Sequence, residues 1–231
     1  MAPGSIGPVH WSVEKRIQAQ PRPLIFACQV NNIDSVGKRV RQREQTRDRI
    51  VAAAAEAFSE LGFRAASTRE IAARAGTNQG LITYHFRSKD QLWRAAVDRI
   101  FGMLRASLRE RRASLAGRDA RERGREGIRA FVRFAAAHPE LFRLMVEEGK
   151  SEDERMQWLV DTHLKPLYDG FQQFAPGMGG PSKPHGFYAL AGAASLLFAV
   201  APECRRLTGL DPTREQAIET HAEFVARLMV P

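Results

Sequence analysis

Residues 67–89 read STREIAARAGTNQGLITYHFRSK, and the rest of the chain is organised around them. Ser67 and Glu70 stand at the S-x-x-E spacing of a capping box, which predicts a helix start. Ile71 and Ala75 lie four apart and share one face. Ala72 is small enough for a second helix to cross closely. Gly76 suits a left-handed helix stop. Thr77 or Asn78 caps the next helix, which runs through Gly80, Leu81, Ile82, Thr83, Tyr84 and His85. Ser88 and Gln91 repeat the capping pattern and open a third helix. Two short helices about a glycine turn make a helix-turn-helix, whose second helix enters the DNA major groove.

The base-reading positions follow from that geometry. The leading part of the second helix faces base edges, which places Asn78, Gln79, Leu81, Ile82 and Thr83 there. Gln79 can pair bidentately with adenine and Leu81 can press on a thymine methyl. Asn78 serves equally as a base reader or as a helix cap. Thr68, Arg69, Tyr84, His85 and Lys89 are placed for phosphates, as is Arg47 in the basic lead-in. For His85, packing between helices is an equal alternative.

These residues also carry a family likeness. TREIAARAGTNQGLITYHFRSKDQL resembles the DNA-binding signature of TetR-family (tetracycline-repressor-like) transcriptional regulators. The match runs from about Thr46 to about Leu104. It includes Phe58 and Gly62, Thr68, Ile71-Ala72, Ala75-Gly76, Tyr84-His85-Phe86 and Ser88-Lys89. Thr83 stands where that family usually has an aromatic that touches the DNA backbone, and Tyr84 is placed to take over. The resemblance implies an all-α fold, with a three-helix DNA-binding domain before a larger helical ligand-binding and dimerisation domain. It also implies a fourth helix that transmits ligand binding as a tilt, a small-molecule inducer, and a homodimer closed by a four-helix bundle.

Charge divides the chain. The 231 residues carry a formal net charge of +9. Residues 1–112 hold 20 Lys+Arg against 10 Asp+Glu, and residues 113–231 hold 15 against 16. A basic first half predicts a polyanion partner for that half, namely double-stranded DNA. No basic amphipathic helix with large exposed apolar residues argues for a membrane. Cys28 and Cys204 form neither a disulfide framework nor a metal spacing, which fits a reducing cytosol. The apolar run from Gly186 to Ala201 is shorter than the roughly 20 residues of a membrane helix and is expected to be buried. No Walker loop, nucleophile elbow, H-E-x-x-H or paired-cysteine spacing supports an enzyme, a metal or a cofactor.

Along the chain, residues 1–37 are rich in Pro and Gly and are expected to form a disordered or loosely held leader. Residues 38–90 are the basic lead-in and helix-turn-helix, with Lys38, Arg39, Arg41 and Arg43 in a flexible arm. Residues 91–231 are the helical second domain. The first helix is expected over Thr46–Leu61 with Ile50, Ala54, Ala57, Phe58 and Leu61 buried, and the fourth over Ser88–Leu108. Residues 109–127 read as a loop or frayed helix because of Gly117, Gly124 and Gly127. Helices are expected over 125–137, 140–148 and 153–174, with Pro166 kinking the last or beginning a new turn in it. A loop is expected over 176–184 and a single apolar helix over 185–204. A final helix is capped by Asp211 with Pro212 at its first position.

In the second domain, Phe131, Phe134, Leu141, Met145, Trp158, His163, Leu167 and Phe171 lie on successive helices. They suit either the lining of an apolar ligand pocket or an ordinary filled core. Leu190, Ala193, Leu197, Ile218, Phe224 and Val225 on the last two helices suit either a dimer interface or a monomeric core. A sequence-independent architectural DNA binder shares the basic half and is the alternative function.

Overall fold

The computed structural model describes residues 25–115, 117–174 and 182–231. It is helical throughout, with α1 Ile25–Ala65, α2 Thr68–Arg74, α3 Gln79–His85, α4 Lys89–Ser114, α5 Ala120–Ala137 and α6 Pro139–Glu148. There follow α7 Glu154–Leu159, a π turn Val160–Leu164, α8 Lys165–Phe174, α9 Lys183–Ala199, α10 Ala201–Thr208 and α11 Glu215–Met229. The chain divides into a unit of residues 1–44 and a unit of residues 45–231.

The first unit corrects part of the leader expectation. Residues 1–24 lie outside the described residues, but helix is present from Ile25 onward, so the basic run 38–43 is helical and not a flexible arm. Arginine, lysine and glutamine are good helix formers, and residues 38–43 contain no glycine or proline to stop them.

In the second unit the helix-turn-helix is built on Ala53, Ala54, Ala55 and Ala57, all buried on α1. Their small side chains let α2 and α4 approach closely. Ile50, Phe58, Ile71, Ala72, Ile82, Phe86, Leu92 and Trp93 complete this core. Gly62 (φ 72°) breaks α1 near its end, as its position predicts. Leu61, expected in the buried stripe, is 40% exposed.

The expected boundary near residue 90 falls inside α4. The same apolar cluster continues through Val97, Phe101 and Leu104 to Phe134, Leu141, Leu144 and Leu159. Trp93 meets Trp158 edge-on at 5.6 Å. Helix α4 therefore belongs to both cores.

A second cluster packs Ile128, Val132, Phe171, Leu190, Ala194, Phe198, Val225 and Met229. Several element boundaries here differ from expectation. Helix α5 starts at Ala120 on the Asp119 cap, and Gly124 and Gly127 are buried inside it, where they serve packing and not a turn. The apolar helix bends by 72° between α9 and α10, because Pro202 cannot donate to a preceding carbonyl. Asp211 accepts from Thr213 N at 3.2 Å and Thr213 Oγ at 2.8 Å, making a turn before α11 instead of its cap. Pro166 is the second residue of α8, directly after the π turn, so it begins a new turn, one of its two expected outcomes. Of the expected loop at 176–184, residues 176–181 lie outside the described residues, and Lys183 and Pro184 begin α9. No single helix among the described residues is long and apolar enough to cross a membrane.

Candidate nucleic-acid interface

Three local caps fix the helix-turn-helix. Ser67 Oγ accepts from Glu70 N at 3.1 Å. Asn78 Oδ1 accepts from Leu81 N at 3.0 Å. Ser88 Oγ accepts from Gln91 N at 3.1 Å. Each satisfies an amide that the first turn of a helix leaves open. Between α2 and α3 the chain reverses at Gly76, whose φ of 61° a β-carbon would strain. Thr77 N then donates to Ala72 O at 2.9 Å. On the outside, Arg74 bonds Glu60 of α1 at 2.7 Å and Glu70 of α2 at 2.8 Å, and these two carboxylates raise its pKa further.

Helix α3 buries one residue, Ile82. Gln79, Gly80, Leu81, Thr83 and Tyr84 are exposed, and Tyr84 is 63% so. Ile82 is the buried anchor, and the opposite face is an exposed one of amide, hydroxyl and apolar groups. Gln79 Nε2 donates to Thr68 Oγ1 at 3.0 Å, which places the expected adenine reader beside the first residue of α2. Thr83 Oγ1 turns back to Gln79 O at 3.4 Å. Arg69 is exposed near the start of α2. Arg47 is exposed, with its guanidinium 5.3 Å from the Phe86 ring centroid. His85 is half-buried, in ring contact with Tyr84 and Phe86.

Two expected contacts look different in place. Asn78 spends its carbonyl oxygen on the cap and keeps only its amide N–H groups for another partner. Lys89 turns inward: Nζ donates to Arg64 O at 3.2 Å and lies 4.8 Å from the Phe63 ring centroid. Burial, then the nearby Arg155, lowers its pKa. It ties α4 to the end of α1. Gly80 escaped attention in sequence, yet a β-carbon there would stand 3.2 Å from Asn78 Oδ1 and crowd the cap.

With this geometry in view, comparison with known proteins is direct. The model for bacterial regulatory proteins of the tetR family matches residues 50–96. Residues 50–96 are thus similar to the DNA-binding domain of tetR-family regulators. Over 113 residues it is 30% identical to the HTH-type transcriptional repressor NicS of Pseudomonas putida, which is 49% of this chain and 52% of that one. It is 33% identical over 105 residues to the HTH-type transcriptional activator FasR of Mycolicibacterium smegmatis, covering 46% and 47%. The chain thus spans about half the length of these curated relatives. The fold resembles that of HlyIIR, a hemolysin II transcriptional regulator, with TM-score 0.57 and 18% identity over 82% of this chain and 99% of that one. It also resembles FadR from Bacillus subtilis, solved with stearoyl-CoA, with TM-score 0.53 and 16% identity over 79% and 96%. At these identities the structural likeness speaks for the TetR-type fold alone.

The residues expected around a ligand are packed together. Phe134 and Leu141 are buried in the first cluster, with Phe131, Met145, Trp158 and Leu167 against it, while Phe171 belongs to the second. Two open concavities of the described surface lie elsewhere. One, of about 500 Å³, is formed by Thr220, Glu223, Phe224, Arg227 and Leu228. The other, of about 310 Å³, is formed by Asp90, Arg94, Asp153, Glu154 and Arg155.

His163, in the π turn, is 1% exposed. Its Nε2 meets Asp98 Oδ1 at 2.9 Å and its Nδ1 meets an Arg105 guanidinium nitrogen at 2.9 Å, both on α4. A guanidinium only donates, so Nδ1 accepts and Nε2–H donates to the carboxylate. Phe101, between them on α4, stacks on the ring at 4.6 Å. Burial lowers the His163 pKa; Asp98 opposes this, and Arg105 reinforces it. Sequence could not show this link, since its partners lie 65 and 58 residues away.

Glu148 is also buried, with Oε2 3.5 Å from Arg155 Nε. Burial raises its carboxyl pKa against the pull of Arg155. Arg155 in turn lies 3.9 Å from the Phe63 ring centroid, at the end of α1.

The expected dimer residues divide. Leu190 and Val225 are buried in the chain's own second cluster, because they occupy the inward faces of α9 and α11. Ala193, Leu197 and Ile218 are half-buried beside them. Phe224 is 61% exposed, and Leu228 (58%), Leu196 (53%) and Tyr188 (73%) join it as large exposed apolar residues of the same two helices.

Proposed function

We propose that this chain is a transcriptional regulator that binds a palindromic operator as a homodimer and is released by a small apolar effector, acting as a cytoplasmic repressor. The observation that carries the reading is α3, anchored by buried Ile82 and presenting Gln79, Leu81 and Thr83 outward beside Thr68 and Arg69. Amide and methyl groups on one exposed helical turn suit base edges, and the arginines suit phosphates. The exposed residues Tyr188, Leu196, Phe224 and Leu228 are the natural faces of a two-fold contact. Phe131, Met145, Trp158 and Leu167, half-buried at the edge of the first cluster, are where an effector would enter. The stearoyl-CoA complex of the FadR neighbour shows that this fold takes long apolar chains in at least one protein, which supports an apolar or amphipathic effector here.

Selection of bound fragments from a random duplex pool tests the proposal. The expected product is an inverted repeat with half-sites about one helical turn apart, or a multiple of it. Equal retention of scrambled duplex at fixed salt would instead favour a sequence-independent binder.

A further inference from the structure

The basic half of the chain does not all lie near α3. Helix α4 has 26 residues, which at 1.5 Å each is about 39 Å. Residues 105–133, at its far end and on α5, hold 10 arginines and no lysine, against 4 Asp+Glu. Residues 134–231 hold 9 Lys+Arg against 13 Asp+Glu, so the arginines form a distinct pole.

Several of these arginines are committed to the fold. Arg105 bonds His163, Arg125 bonds Val230 O, Arg129 pairs with Glu126 and Glu223, and Arg133 pairs with Glu219. Arg109, Arg112 and Arg121 are exposed and have no ion pair with any described residue. Arg118 and Arg123, also exposed, lie in the same two turns of the hairpin. Arg118 reaches Glu122 only at 3.8 Å. The other carboxylates there are Glu110, which is exposed, and Asp119, which caps α5.

We infer that the tip of the α4–α5 hairpin is a second polyanion-binding surface, fitted to the phosphates of duplex DNA and separate from the α3 face. Arginine alone, without lysine, favours the bidentate geometry of phosphate oxygens. No large apolar residue is exposed between 105 and 133, so the tip has nothing to insert into a bilayer. No exposed aromatic residue is present there for bases to stack on, which argues against a single strand. From Lys89 to Arg109 is about 30 Å along α4, which sets the tip apart from the α3 face. The partner is therefore a separate stretch of duplex, contacted without regard to sequence.

The test uses the full chain and a labelled duplex of random sequence. Arg69→Glu with Gln79→Glu disables the α3 face at two exposed positions. This variant is expected to retain duplex binding that weakens steeply with salt. Adding R109Q, R112Q and R121Q, all exposed and outside the core, should weaken it by about tenfold or more and reduce the salt slope by about 2 to 3. Circular dichroism checks that both variants keep their helix content. No duplex binding by the α3-disabled chain, or binding that ignores the three arginine changes, overturns the inference. So does a patch that binds phosphatidylglycerol vesicles or an acidic polypeptide and leaves duplex unbound.

Discussion

The helix-turn-helix and the C-terminal helices are built from the same kind of element but delimited by different physics. In the first region α2, α3 and α4 each carry a start signal: Ser67, Asn78 and Ser88 bond the amides of the turns they precede. In the second, Asp119 and Asp153 cap α5 and α7, but α6, α9, α10 and α11 have no side-chain cap. Their ends are set by proline, by packing and by contacts with distant residues. Short-range chemistry encodes the reader, and long-range chemistry encodes whatever controls it.

That contrast can be broken most forcefully at the presumed subunit contact. Phe224→Glu together with Leu228→Glu, both exposed, should leave the fold intact and convert a dimer to a monomer, measured by sedimentation. Operator affinity should then fall by several hundredfold or more, since one half-site is lost. A monomeric wild-type chain would remove the comparison's second half.

Next is the shared core. Phe58→Ala should cost about 3–5 kcal/mol in urea unfolding, because the ring is fully buried among Ala-rich helices. A single transition is expected, since α4 belongs to both cores; two separate transitions would show that the regions unfold independently. On the reading face, Gln79→Ala should cost about 1–3 kcal/mol of discrimination at one base position while leaving non-specific binding nearly unchanged.

A weaker effect should come from His163. Its pKa is lowered in the folded chain, so the unfolded chain takes up the proton first as pH falls below the ordinary value of about 6.5. Stability should be full above that value and decline below it, and His163→Gln should remove that part of the slope. An unchanged slope in the variant would deny the ring its place between Asp98 and Arg105. The smallest change is Thr83→Tyr, which restores the aromatic usual at this position. One added phosphate contact of about 1 kcal/mol would tighten DNA binding by about fivefold.

How much was legible in sequence follows from the same contrast. The three caps, the Gly76 reversal and the buried set Ile50, Ala54, Ala57 and Phe58 lie within a few residues of their signals, and periodicity and capping rules reach that far. Residues 109–127 misled because their glycines resemble a turn, whereas α4 runs to Ser114 and Gly124 and Gly127 are spent on helix packing. The inward turn of Lys89 depends on the carbonyl of Arg64, 25 residues earlier. The outward orientation of Phe224 beside an inward Val225 is a matter of helix phase, which an apolar stripe alone leaves open. The His163 link and the Glu148–Arg155 pair needed three-dimensional neighbours and had no signal in the text of the chain.

Helix α3 fully buries a single side chain, Ile82, against the body of the protein. Its outward positions can therefore be rewritten with little effect on folding. A lineage descended from this chain, or an engineer starting from it, could retarget the protein to a new stretch of genome by altering Gln79, Leu81 and Thr83 while the scaffold beneath keeps its melting point.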